Sequence, residues 1–360
     1  MKALYSMVLG SILIAAISTA SAASSAWEQV LTAAEKEGKV TVIGPPIRSH
    51  REAIMRFEQA YPKIKVEYTG MAPGQFEARL SAERNAGQYL WDILVSGVSS
   101  TVYDRQIPNG WYDPLRAIVQ DPSVLKDESW VGGFESGFLD TERRYIYSFT
   151  AEQASGITID KRKVPETFSG ENLLDPKWKG QIAMLDPRSR GPGSVAFRQV
   201  VAALGDAGAT QLLKDQEVVL ADSVRQVTEW AVRGTYPIVL GVPTSEILAF
   251  QKKGLGQHLQ QVHHSPDKLF FLTLWGNVAL MNRAPNPNAA AVFVNWLLTK
   301  EAQEHWAKEG LVNSRRTDVP LMNPDVVVDE KTWNSGYNLS DEEHAKEGVS
   351  AMRIAEDGLK

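Results

Sequence analysis

Apolar residues follow two rhythms along this chain, a helical one and an alternating one, and the two take turns. Trp27, Val30, Leu31 and Ala34 recur at helical spacing until Gly38. Lys39 to Gly44 (KVTVIG) then reads as a short buried strand. Ser49-His50-Arg51-Glu52 fits a capping box, with Ser49 as N-cap and Glu52 at the third helical position. The helix it starts turns Ala53, Ile54, Phe57 and Tyr61 inward, and Pro62 ends it. Ile64, Val66 and Tyr68 alternate as a second strand, a helix is predicted from Pro73 to Gly87, and Asp92 to Val95 forms a third strand.

The alternation returns after Tyr145. Strands are predicted at 144–149, 155–160, 181–185 and 236–240, and helices near 194–204, 208–219, 223–233 and 244–252. A strongly apolar strand from Leu269 to Met281 follows, then helices Pro287 to Thr299 and Lys300 to Lys308. The polar tail after Asp329 reads as a weakly packed helix, with Asp341-Glu342-Glu343 at a solvated helix start. Strands joined by helices at this spacing make parallel sheets with crossover helices, so the chain is expected to be α/β, with two open sheets.

The first residues change the compartment. Lys2 is the only charge before an apolar stretch from Met7 to Ile17, and Ala20-Ser21-Ala22 fits an A-x-A cleavage rule. The stretch is shorter than the roughly 20 helical residues a bilayer needs, which predicts a cleaved signal peptide over 1–22 and a periplasmic protein. Cleavage removes one positive charge and moves the formal net charge from −5 to −6. A mild acidic excess without a basic tract argues against nucleic acid or an anionic membrane as partner. The absence of cysteine excludes a disulfide scaffold, thiolate metal sites and a cysteine nucleophile. No nucleophile elbow, H-E-x-x-H or G-x-x-x-x-G-K-[ST] motif is present, so no enzyme class is indicated and no cofactor is expected.

Five stretches together resemble the iron-type branch of the bacterial extracellular solute-binding proteins. They are WEQVLTAAEKEGKVTVIG at 27–44, FEQAYPKIKVEYTG at 57–70, LLDPKWKGQIAMLDPR at 173–188, APNPNAAAVFVNWLLTKEAQEHW at 284–306 and NSRRTDVP at 313–320. The resemblance implies a two-lobed periplasmic binding protein type II fold, with two open mixed sheets joined by two crossover strands. It places lobe 1 at 23–147 and 276–312, lobe 2 at 148–275 and 313–360, and hinge strands at Tyr145–Thr150 and Leu272–Ala279. It also implies a permease and an ATPase of an ABC importer as partners. A monomer is expected because the docking surface must stay open.

Ligands of open α/β sheets bind beyond the carboxyl ends of the strands. That rule selects Arg48, Ser49 and His50 after the first strand, Gly70 after the second, and Ser96, Gly97 and Ser99 after the third. In the second half it selects Arg188, Ser189, Gly193 and Ser194, then Thr244 and Ser245. Helix N-termini carry partial positive charge, and Arg48, Arg188 and Arg190 add guanidinium forks suited to carboxylate or phosphate. A small anion is therefore the expected solute: an organophosphate, a phosphonate or a carboxylate. His50 reads either as an anion donor or as a solvent-facing residue. Trp275, beside Gly276, reads either as a stacking platform for an organic ligand or as core.

In ferric-binding relatives a histidine follows the first strand, an acid the third, and paired tyrosines a strand of lobe 2. His50 matches the first, but Ser96-Gly97-Val98-Ser99 lacks the acid and Gly241-Val242-Pro243-Thr244-Ser245 lacks tyrosine. Ferric iron wants phenolate and carboxylate oxygens, so no metal site is expected here. Tyr236 reads as core, while Tyr145 and Tyr147 alternate on a hinge strand and either can face the cleft. Ferric or ferric-chelate binding is the alternative reading, and an enzyme on the same fold a second one.

Overall fold

The computed structural model describes residues 26–71, 73–188, 191–264 and 269–360. The expected signal peptide, and Ser189 and Arg190, lie outside the described residues. Among the described residues, fourteen short strands fall into three sheets. They are β1 (Lys39–Gly44), β2 (Lys65–Gly70), β3 (Ile93–Ser96), β4 (Tyr112–Asp113), β5 (Ile146–Ser148), β6 (Glu152–Gln153) and β7 (Ile157–Asp160). The rest are β8 (Ile182–Leu185), β9 (Val219–Ala221), β10 (Ile238–Leu240), β11 (Leu259–Val262), β12 (Phe270–Leu272), β13 (Asn277–Met281) and β14 (Tyr337–Asn338).

The first sheet runs β2-β1-β3-β13-β4, with β5 also on β13. β2 and β3 lie parallel to β1, and β13 lies antiparallel to its neighbours. The second runs β11-β7-β10-β8-β9, with β8, β9, β10 and β11 running the same way and β7 reversed between β10 and β11. Both sheets are thus open and mixed, as expected. Their central strands are apolar and buried (Val40, Val42, Ile93 and Val95 in one, Ile182, Met184, Ile238 and Leu240 in the other), as expected of strands covered on both faces. Helix 26–37, stopped by Gly38 at φ +71°, packs Trp27, Val30 and Leu31 on the first core.

Four sequence expectations need correction. The helix after β1 starts one residue early, at Arg48, with Ile47 as N-cap and no capping side chain. Glu52 is instead held by Arg48, Nε to Oε1 at 2.7 Å. The apolar run Leu269–Met281 is not one strand. It breaks at Thr273–Gly276, with Leu274 at φ +46°, and serves two sheets. The two helices predicted at 194–204 and 208–219 are present within Pro192–Asp215, divided at Gly205 (φ +70°, ψ 173°), but the second ends at Asp215 and Val219 belongs to β9. The tail is not weakly packed: helix Glu347–Gly358 buries Ala351 and Ala355 in the second core. A third, small sheet, β14-β12-β6, was also not foreseen.

That small sheet lies where the chain passes between the two large ones. β5 leaves the first sheet, β6 pairs with β12, and β7 enters the second. A third passage runs beside them: Arg315 N–H donates to Phe149 O at 2.9 Å, and Thr150 bridges Ser314. Asn313 N–H donates to Glu152 Oε1 at 2.9 Å. Burial pushes the Glu152 carboxyl up to about 7, against the pull of that hydrogen bond. The unfolded chain therefore releases this proton first, so stability is fullest below the unfolded pKa and falls as pH rises towards 7.

Glu152→Gln keeps the acceptor for Asn313 and removes the charge. It should stabilise the protein by about 3 kcal/mol above neutrality and change little near pH 4.5. Urea melts of both forms across that range check this.

Candidate functional site

The carboxyl ends of β1, β2 and β3 and the start of β13 share one edge of the first sheet, from which β5 departs. The carboxyl ends of β8 and β10 and the start of β7 share one edge of the second. Residues 149–156 join those edges, a span of at most about 30 Å. The loops singled out by the strand-end rule are thus gathered at the two edges the crossing chain connects.

On the second sheet the site is built around two glycines. A Cβ at Gly193 would stand 2.6 Å from both Leu185 O and Asp186 O. Gly241, at φ +83°, would place a Cβ 3.3 Å from Gly193 Cα. Only glycines let the first turn of helix Pro192–Asp215 sit directly on the ends of β8 and β10. Ser194 Oγ accepts from Gly191 N at 3.1 Å and donates to Gly191 O at 2.9 Å, which fixes the turn.

Beside it, Thr244 N–H donates to Ser155 Oγ at 3.1 Å, and Thr244 Oγ1 donates to Gln261 Oε1 at 2.6 Å. Ser155 escaped the sequence reading because it precedes the reversed β7, which the strand-end rule passes over, and Gln261 because the polar β11 (LQQV) does not read as a strand. Ser245 is exposed in the same first turn.

Arg188 is bound to its own loop: Nε reaches Asp186 Oδ1 at 3.0 Å and Nη2 reaches Oδ2 at 2.6 Å. The guanidinium holds Asp186 below the usual carboxylate range. The fork's charge is thereby paired with a carboxylate before any solute arrives. Arg48 is largely exposed and paired with Glu52.

On the first sheet, Gly97 lies against Trp275. A Cβ there would stand 3.2 Å from Leu274 O and 3.7 Å from the indole Cε3. Trp275 is half-buried, so part of its surface is open at this edge. Asn277 Nδ2 donates to Ser96 O at 2.9 Å, while its buried Oδ1 has no partner. Gly70, exposed, packs against Pro46, and Ser99 O accepts from Val102 N at 3.0 Å.

His50 takes neither reading offered above. It is buried, edge-on to Trp306 at 4.8 Å, and burial lowers its pKa. Ser49 precedes it, half-buried. Tyr147 is in the core, stacked among Trp130, Phe134 and Phe138, with its hydroxyl accepting from Arg315 Nη2 at 3.2 Å. Arg144 covers the ring of Tyr145 at 5.3 Å. Tyr236 packs on Trp230, as read from sequence. Among the described residues no group of three or more His, Asp or Glu is placed to hold a metal ion.

A cavity of about 580 Å³ lies elsewhere, lined by Asp127, Glu128, Glu135, Arg143 and Glu330 among others. It is away from both strand-end edges. Among the described residues no helix is long and apolar enough to cross a membrane.

The family model described as bacterial extracellular solute-binding protein matches residues 134–312. An uncharacterised protein of Haemophilus influenzae is 29% identical over 263 residues, 69% of this chain and 69% of that protein. The apo ferric ion-binding protein A of Pasteurella haemolytica has the same fold, with TM-score 0.67 and 14% identity over 89% of this chain and 98% of that one. The Trichodesmium protein in complex with iron and citrate gives 0.65 and 15%, over 89% and 99%. The periplasmic binding protein AfuA of Actinobacillus pleuropneumoniae, with exogenous fructose-6-phosphate bound, gives 0.56 and 18%, over 87% and 97%.

The glycine pair gives a direct test. Gly193→Ala should lower stability by about 1–3 kcal/mol, because two carbonyl oxygens must move. Thermal melting beside Gly74→Ala, where a Cβ meets nothing within 4 Å, separates this clash from a general loss of glycine.

Proposed function

We propose that this chain, whose residues 134–312 match the family model of the bacterial extracellular solute-binding proteins, is periplasmic and captures a small anion between the two sheets. The solute class is organophosphate, phosphonate or carboxylate. The chain would act as the binding component of an ABC importer, a monomer handing solute to a permease driven by an ATPase. Lobe 1 is assigned to 23–147 and 276–312, and lobe 2 to 148–275 and 313–360.

The observation that carries this reading is the first turn of Pro192–Asp215, brought onto the ends of β8 and β10 by Gly193 and Gly241. The backbone amides of Gly193 and Ser194 belong to that turn, where the partial positive charge of a helix N-terminus favours an anion. Thr244, Ser245 and Ser155 set hydroxyls beside it. On the opposite edge Ser96, Gly97 and Ser99 offer backbone and hydroxyl groups, and Trp275 a ring face for an organic moiety. Gly70, Ser189 and Ser194 complete the loops. Arg188 stays within the proposal as a fork shared with Asp186, and Arg48 and Ser49 lie at the rim. His50 acts through packing on Trp306 rather than by touching solute.

The fructose-6-phosphate complex of a protein sharing this fold supports a phosphate ester as the first solute to try. The missing tyrosines at 241–245 weigh against phenolate ligation of iron. The fixed alignment of donors without a nucleophile–base pair favours binding over turnover.

Thermal unfolding with fructose-6-phosphate, inorganic phosphate, 2-aminoethylphosphonate, citrate, ferric citrate and a neutral amino acid tests the reading. At 1,000 times its Kd a solute should add about 4 kcal/mol, a rise of several degrees. Thr244→Val should cut that rise while leaving the unliganded melting temperature within a few degrees. A rise with ferric citrate alone, with a visible charge-transfer band, would establish the iron reading instead. No rise with any anion would overturn the anion reading.

A further inference from the structure

Ten residues near the C-terminus pass from the second α/β unit to the first and back. Tyr337–Asn338 is β14, paired with β12. Leu339 is buried with Ala154 and Phe270, against Val195 and Ala202 of helix Pro192–Asp215. Arg198 of that helix donates Nη1 to Leu339 O at 3.1 Å and Nη2 to His344 O at 2.5 Å. From the other side, Tyr103 Oη donates to Ser340 O at 2.5 Å, and Glu342 N–H donates to Leu139 O at 2.9 Å. Thr141 donates both N–H and Oγ1 to Glu342 Oε2, each at 2.9 Å. Ala345 is buried in the first unit's cluster with Leu94, Tyr103 and Leu139. The chain then returns, and Glu347–Gly358 packs Ala351 and Ala355 into the second core.

The anchors stand next to the candidate solute loops. Tyr103 lies in the π-helix Val102–Gln106, directly after Ser96–Ser100, with Val102 N–H on Ser99 O at 3.0 Å. Arg198 lies one turn beyond Ser194 in the helix whose first turn sits at the other edge. Ser340 Oγ also accepts from Thr273 N–H at 3.0 Å, in the break between β12 and β13. Residues Glu342–Ala345 are helical, so the segment has little slack to extend.

We propose that residues 337–346 are a strap that sets the resting separation of the two α/β units and links the solute loop after β3 to the helix beginning at the opposite loop. Its second-unit end is the firmer one, with a half-buried arginine donating twice and a following helix in the core. Its first-unit end holds by Tyr103, by the exposed Thr141–Glu342 pair and by one small methyl. Movement of the units therefore releases or tightens the first-unit end. The link to solute rests on the proposed function; the strap itself does not.

The test is made without solute, so its outcome is independent of which solute binds. The chain has no cysteine, so Ala86→Cys and Lys214→Cys, both exposed, place one spin label on each unit. Distance distributions by double electron–electron resonance are compared for this protein and for the same protein with Tyr103→Phe, Thr141→Val and Glu342→Gln. The strap predicts a broader distribution with a second population of about one tenth or more, because a few lost hydrogen bonds raise a minor state into that range. Far-UV circular dichroism confirms folding, and Tyr103→Phe alone replaces the triple variant if the latter does not fold. A folded variant with a lower melting temperature but a superimposable distribution would overturn the strap, leaving these contacts merely stabilising.

Discussion

Everything in this molecule depends on how three lengths of backbone pass one another between the sheets. Phe149 N–H donates to Gly276 O at 2.8 Å, and Arg315 N–H donates to Phe149 O at 2.9 Å, so the three passages share one residue. Gly276 has no room for a side chain, because Thr150 occupies the space a Cβ would need. Thr150 Oγ1 in turn donates to Thr273 O at 2.7 Å. Buried backbone polar groups must find partners. Here each passage supplies them to the next, which fixes the path of all three at once.

Arg315 fastens the third passage by unusual means. It is buried, and among the described residues no carboxylate pairs with it. Nη2 donates to Gly133 O at 2.9 Å, and the rings of Trp333, Trp130 and Tyr147 lie 4.6, 5.2 and 5.3 Å from its guanidinium carbon. Burial pulls its pKa down, and the π faces and the Tyr147 hydroxyl offset part of that cost. Trp130 also receives Arg316, whose Nε and Nη2 reach Asp318 at 2.8 Å. The NSRRTDVP stretch is therefore a clamp: Asn313 holds Glu152 and the 322–323 backbone, Arg315 holds the aromatic cluster, and Arg316 holds the end of helix Pro287–Leu297 through Leu298 O.

The periodic parts of this fold were legible in the sequence. KVTVIG, ITID and the helices after Pro287 carry their burial pattern in their composition, and each stands where its period put it. What failed was what depends on distant residues. Leu269–Met281 is apolar end to end, so nothing local marks the break at Thr273–Gly276. That break comes from Thr150 and Ser340, more than sixty positions away in sequence. The Ser49 capping box lost to an earlier helix start because Pro45 O accepts from Ile47 N–H and the chain is already turning. The polar tail read as loose because its small buried residues, Ala345, Ala351 and Ala355, give a weak apolar stripe. The candidate loops were legible because strand ends are local; the orientation of His50, set by Trp306 some 250 positions on, was not.

The same division explains why the site is made chiefly of backbone and small side chains. Side-chain charge at the edges is already spoken for: Arg188 by Asp186, Arg48 by Glu52. Under the proposed function, recognition then falls to the backbone of the helix turn that Gly193 and Gly241 let onto the strand ends. Its position is set by the sheet and the helix rather than by a rotamer. A site of that kind gains its precision from the rigidity of β8, β10 and the long helix, and it costs no side-chain entropy when solute arrives. It also ties recognition to the scaffold. Arg198, in the same half of helix Pro192–Asp215 as Gly193, holds the C-terminal segment through Leu339 O and His344 O, which ties the proposed binding edge to the passages between the sheets.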